Sequence, residues 1–183
     1  MKGEFIMKVK QLTMSAILLA IGAILHYIVP GTFAGLKPDF LLSMMFLAIF
    51  INFNPTNLAA TSIVCGLISA MTTQFPGGQL PNIIDKCVTG IVVGLMIYAL
   101  KKLSISETVK MGVVGFVGTI VSGTTFLASA LLLVGLPGPF AVLYTGVIVA
   151  SIGNVIFVVM LYQIITRAGL SRLTLSQSQE KID

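Results

Sequence analysis

Phe75-Pro76-Gly77-Gly78-Gln79-Leu80-Pro81-Asn82-Ile83-Ile84-Asp85-Lys86 sets a Gly/Pro turn and several hydrogen-bonding or charged side chains against the start of an apolar run. Only 9% of the chain is charged, so an adjacent acid and base at the edge of a hydrophobic segment needs a reason. Charges carried into a membrane are costly and mark functional sites by default.

Composition sets the surroundings of that stretch. The chain is 56% hydrophobic with a mean hydropathy of +1.04, above the roughly 45–50% apolar share of soluble domains. A soluble domain of this length would need far more surface charge. The net charge of +5 does not indicate nucleic acid, because the basic residues sit at the ends of apolar segments rather than among aromatics. Cys65 and Cys87 fall inside apolar segments without metal-ligand spacing, and they read as free buried thiols.

Six apolar segments are legible, over 11–29, 39–53, 57–74, 82–100, 108–134 and 139–166. A bilayer crossing takes about 20 residues, so the second crosses only marginally and the last two are long enough to tilt. The first is too long for a signal-peptide core, has no convincing cleavage site and is followed by five more segments. Lys2, Lys8, Lys10, Lys101, Lys102, Lys110, Arg167, Arg172 and Lys181 then fall on one side, against Lys37 and Lys86 on the other. The positive-inside rule makes the first side cytoplasmic. The expected architecture is therefore an all-α integral membrane bundle of six transmembrane helices with both termini cytoplasmic. Residues 1–170 form the substrate-binding domain, and 171–183 a disordered cytoplasmic tail. The loops near 30–38, 75–81 and 134–139 face outward, all rich in Gly and Pro.

Enzyme motifs are missing. There is no G-x-x-x-x-G-K-[ST] loop and no G-x-S-x-G elbow, and a single histidine, His26, excludes HExxH. A receptor or transporter with few internal polar groups fits better, with no catalytic and no metal-binding residues. Its candidate substrate-binding residues are Lys37, Asp39, Gly77, Gly78, Gln79, Asn82, Asp85, Lys86, Tyr144 and Asn154.

Asn82 precedes Asp85 by three residues and Lys86 by four, so it shares a helix face with either. Asp85 and Lys86 are adjacent, point about 100° apart and are not expected to pair with each other. Alternatively, Asp85 simply favours a helix N-terminus and Lys86 snorkels outward. Pro81 suits a first helical turn, whose exposed N–H groups attract an anion. Lys37 and Asp39 either complete a ligand clamp or mark the water interface. His26 reads more readily as an interfacial histidine than as a ligand contact. Asn154 bonds another helix or floors a pocket, and Tyr144 is an aromatic-belt or stacking residue. Small residues recur at spacing four at Ala16/Ala20, Ser62/Gly66/Ala70, Gly90/Gly94 and Gly146/Ala150. These are helix-packing faces, and the first pair equally suits a partner protein.

Six spans, cytoplasmic termini, Ala-x-x-x-Ala at Ala16 and Ala20, and polar groups at the outer face resemble the substrate-binding (S) component of energy-coupling-factor transporters. More closely, His26-Tyr27-Ile28-Val29-Pro30-Gly31, Gly35-Leu36-Lys37-Pro38-Asp39 and the 75–86 stretch resemble the tryptophan transporter family TrpP, over about residues 8–168. The resemblance implies a multi-pass protein of a prokaryotic plasma membrane that captures tryptophan outside. Delivery inward would use a transmembrane coupling protein and two ATPases, so the ATP is used by partners and this chain carries no cofactor. It implies no residue-level contacts. From the residues themselves, the ligand carboxylate is expected at Lys86 or Lys37 and the ammonium at Asp85 or Asp39. The indole N–H would meet Gln79 or Asn154, Gly77 and Gly78 would let the loop close, and Ala16 and Ala20 would form the coupling face. A self-sufficient secondary carrier and a structural or regulatory membrane protein are the alternatives.

Overall fold

A computed structural model describes residues 2–28 and 39–168, with side chains from residue 9 onward. These residues form six helices: α1 (Lys2–Ile28), α2 (Phe40–Ile51), α3 (Pro55–Thr72), α4 (Gln79–Leu100), α5 (Glu107–Leu133) and α6 (Phe140–Arg167). Each starts where the sequence supplies the chemistry. Asp39 Oδ1 accepts from Leu42 N at 2.9 Å and caps α2, and Asn54 Oδ1 caps α3 ahead of Pro55. Ser106 caps α5, with Glu107 in its first turn. Such caps satisfy N–H groups that have no partner inside the helix.

Two expected boundaries move. The first helix extends back to Lys2, because helical hydrogen bonds tolerate the charges that interrupt its apolar run. The fourth begins at Gln79 rather than 82, with Gly78 as its N-cap. Pro81 is thus the third helical residue, in the turn where a missing N–H costs nothing. Gln79 consequently belongs to a helix and not to a loop. The connection shrinks to a turn around Gly77, whose φ of +69° is open to glycine without strain. Lys37 and the 171–183 tail lie outside the described residues.

Among the described residues, four helices are long and apolar enough to cross a membrane: the Val9–Ile28 part of α1, α4, α5 and α6. Ile17, Ile91, Leu95 and Ile156 project outward, while Ser15, Asn57, Thr89, Lys86 and Asp85 are buried. An apolar exterior, with polar and charged side chains kept inside beside an apolar core, matches a lipid solvent. Consecutive helices pack as neighbours, and the short α2 touches all five others. Phe40 through Ile49 are buried on every side of it. Of the small-residue faces, those of α3 and α4 pack together: a Cβ at Gly90 would collide with Ser62 and one at Gly94 with Leu58. Ala16 and Ala20 are exposed on α1.

One end of the bundle is tied by a buried amide. Asn57 Nδ2 donates to Ala48 O and Asn52 O at 3.1 and 2.9 Å, and its Oδ1 accepts from Ser15 Oγ at 2.7 Å. Asn52 Nδ2 reaches Gln11 O at 3.2 Å. These bonds fix α1, α2 and α3 in register at the end where α2 finishes. The candidate site occupies the other end, where α2 begins.

Candidate functional site

Charge enters the site from α2 and α4. Lys86 Nζ lies 2.6 Å from Asp85 Oδ2 and 3.1 Å from Asp39 Oδ2, and donates to Ser122 Oγ of α5 at 3.1 Å. Its three protons therefore all have acceptors. Ser122 Oγ donates in turn to Asp85 Oδ2 at 2.9 Å, and Thr89 Oγ1 donates to Asp85 Oδ1 at 2.9 Å. The side chains of Lys86 and Asp85 are 3% and 1% exposed, that of Asp39 28%.

The expectation that Asp85 and Lys86 do not pair is thus wrong. The 100° separation holds for their Cβ atoms, but the long lysine stem bends its tip back to its neighbour. Away from water an unpaired charge is far more costly than a bent side chain. Nor does Lys86 snorkel outward, since the whole side chain is buried.

This cluster forms one wall of a cavity of about 270 Å³, near the lower end of the roughly 300–1,000 Å³ typical of small-ligand sites. His26 of α1, with Nδ1 3.6 Å from Asp39 Oδ1, lines it beside Asp39 and Leu42. Ser69, Thr72, Thr73 and Gln74 come from the end of α3, and Asn82, Asp85 and Lys86 from α4. Thr119, Ser122, Gly123 and Phe126 of α5 and Val147, Ala150 and Asn154 of α6 complete the lining. The C-terminal ends of α1 and α3 thus meet the N-terminal ends of α2 and α4, so these helices alternate in direction. A second cavity shares His26, Thr72, Thr73 and Gln74 and adds the exposed Tyr27 and Met71.

The lining combines a charged set, Asp39, Asp85 and Lys86 with Ser122, and apolar Phe126, Val147 and Ala150. Phe75 of the turn packs edge-on against Phe126, ring centroids 5.1 Å apart, which couples the 75–78 turn to the wall. Asn154 is fully buried, and its Nδ2 donates to Thr119 Oγ1 at 3.1 Å. It therefore both bonds a neighbouring helix and lines the cavity.

Among the residues singled out from sequence, Asp39, Asn82, Asp85, Lys86 and Asn154 come together in this lining. Asn82 Nδ2 also donates to Gly78 O at 2.7 Å, securing the start of α4. Gly77, Gly78 and Gln79 are not part of the lining, and Gln79 is exposed. Tyr144 is outside it too, stacked on Phe140 and 3.2 Å from the Thr124 hydroxyl. Ser69, Thr72, Thr119 and Ser122 were missed because hydroxyls are unremarkable in apolar helices. The usable signal was their clustering with small residues, as in Gly118-Thr119 and Ser122-Gly123. Among the described residues no group of three His, Cys, Asp or Glu is placed to hold a metal ion.

A helical bundle with an apolar exterior, enclosing a cavity lined by both charged and apolar side chains, defines a multi-helix membrane protein. The chain belongs to a transporter family, TrpP: the family described as "Tryptophan transporter TrpP" matches residues 8–169. It is 44% identical over 160 residues to a "Probable tryptophan transport protein" of Bacillus subtilis (strain 168), covering 87% of this chain and 92% of that one. Proteins of the same description from Clostridium perfringens (strain 13 / Type A) and Clostridium acetobutylicum are 39% and 41% identical. These alignments cover 87% and 83% of this chain, and 92% of each relative. No solved structure matches the chain.

Proposed function

We propose that this chain captures tryptophan in the α2–α4–α5–α6 cavity, as the membrane-embedded binding subunit of an uptake system. The observation that carries the reading is the Lys86–Asp39 bridge at 3.1 Å on the cavity wall. Asp85 is sealed and satisfied by Lys86, Ser122 and Thr89, whereas Asp39 is partly exposed. A zwitterion inserts at the weaker link, its carboxylate displacing Asp39 from Lys86 and its ammonium taking Lys86's place on Asp39. One ion pair becomes two and the net charge of the site does not change. The first turn of α2, bordering the cavity through Asp39 and Leu42, adds the positive end of its dipole near the ligand carboxylate. The indole lies against Phe126, Val147 and Ala150.

Membership of a transporter family and the names of the relatives support tryptophan as substrate. Orientation follows from charge: Lys101, Lys102, Lys110 and Arg167 fall at the helix ends remote from the cavity, so the cavity opens outward and both termini are cytoplasmic. The six helices form one binding domain, and the exposed Ala16 and Ala20 offer the face for a transmembrane coupling protein driven by partner ATPases.

The chain has no Trp and four Tyr, so bound tryptophan is the only indole. Titration of the purified protein is expected to give a saturable emission shift and a rise in anisotropy. Asp39→Asn retains the helix cap but not the charge, and lowers affinity at least roughly tenfold, about 1.4 kcal/mol. Tryptamine and indole-3-propionate, each lacking one charge, bind similarly weakly. Absence of any change from nanomolar to high micromolar tryptophan overturns the assignment. Vesicles containing this chain alone that accumulate tryptophan on an ion gradient overturn the need for partners.

A further inference from the structure

We infer that Thr119 and Asn154 form a dedicated acceptor for a ring N–H, which makes the cavity select indole over aromatic rings that lack a donor. The inference rests on the tryptophan reading above and adds its specificity element. Thr119 Oγ1 donates to Gly115 O, one turn back in α5, at 2.7 Å. A hydroxyl has a single proton, so Thr119 can only accept from Asn154. The Asn154 amide is thereby oriented, because the flipped arrangement would set two acceptors face to face.

Its oxygen is then left over. Asn154 Oδ1 is buried and has no hydrogen-bond partner among the described residues, and the residue lines the cavity together with Thr119 and Ala150. A buried carbonyl without a donor is unfavourable, and an apolar side chain here would remove that cost. A donor arriving with the ligand satisfies it. Phe126, Val147 and Ala150 of the same lining suit a flat ring, and Ser122, one helical turn along α5 from Thr119, bonds Lys86, at which the ligand carboxylate is held. The cavity thus offers one ligand both charged partners and a single N–H acceptor. A site built around such a donor discriminates steeply against an isostere without it, since the acceptor is then left unpaired. Thr119 is a positioning residue here, acting through Asn154.

The test uses the full-length protein in detergent, with calorimetric titration of tryptophan and of 3-benzothienylalanine, whose sulfur replaces the ring N–H at nearly constant shape. The parent is expected to prefer tryptophan by roughly ten- to a hundredfold. In Asn154→Leu the preference collapses, while binding of the sulfur isostere persists and reports an intact fold. Thr119→Val frees the amide to rotate and loses part of the preference, and Thr119→Ser keeps it. Equal affinities in the parent, or an undiminished preference in Asn154→Leu, overturn the inference and leave the tryptophan site standing. Failure of the parent to bind either compound overturns the site on which the inference rests.

Discussion

Removing the ammonium of Lys86 is the most informative single perturbation of the fold. Lys86→Met preserves length and apolar stem but leaves Asp85, 1% exposed, beside Asp39 with no cation between them. Because the pair is sealed, the small values measured for surface ion pairs do not apply. Breaking a buried pair from one side costs about 3–5 kcal/mol. The escape route, protonating Asp85, gives a similar figure: about 1.36 kcal/mol per pH unit, or some 4 kcal/mol for an ordinary carboxyl at neutral pH. The melting temperature in detergent should therefore fall by roughly 10 °C, at a few degrees per kcal/mol for a chain of this size. Lys102→Met is the control: that lysine is exposed, its Nζ 4.7 Å from the Tyr98 ring centre, and its loss should stay within about 0.5–1 kcal/mol. Asp85→Asn combined with Lys86→Met removes both charges and should recover most of the loss. A Lys86→Met protein melting within about 2 °C of its parent, or a double variant no better than the single, would refute the view that these charges hold each other in place.

Two further outcomes follow from the helix faces. Gly90→Leu drives a side chain into Ser62 at the α3–α4 seam and should destabilise by about 1–3 kcal/mol, whereas Gly138→Ala, with open space around it, should leave the melting temperature nearly unchanged. Ala16→Leu with Ala20→Leu should leave tryptophan binding intact but reduce uptake in cells roughly tenfold or more, because bulk on a small-residue face prevents close helix approach. Undiminished uptake would remove α1 as the coupling face.

How much the sequence revealed varies with the range of the interactions involved. The helices were legible because hydropathy accumulates over many residues and lipid rewards it uniformly. Their ends were less so, since caps act one residue at a time: Gly78 and Gln79 looked like a loop and are the N-cap and first residue of α4. The site was half legible. Asp39, Asp85, Lys86 and Asn154 stood out because polar groups in apolar segments are expensive. Their partners did not, because nothing in one helix says that Ser122 faces Lys86 across 36 residues of chain. Geometry within a single helix also misled. It describes where Cβ atoms point, and the Lys86 tip reaches well beyond that. Tryptophan itself was never readable from composition or spacing. It came from the resemblance, and the cavity supplies a chemical reason for it.

The short second segment links the fold to the proposed binding. At 12 residues and 1.5 Å per residue, α2 is about 18 Å long, against a hydrocarbon core of about 30 Å. Its C-terminal end is tied through Asn52 and Asn57 to α1 and α3, and its N-terminal end meets His26 in the last turn of α1 and Lys86 of α4 through Asp39. Asp39 caps α2 there, and the buried lysine and second carboxylate of α4 meet it. Behind that charged end the helix is buried from Phe40 to Ile49, so α2 packs against all five other helices and still brings its capping carboxylate to the cavity wall. One short helix therefore serves both the core and the site, and the longer helices form the remaining walls.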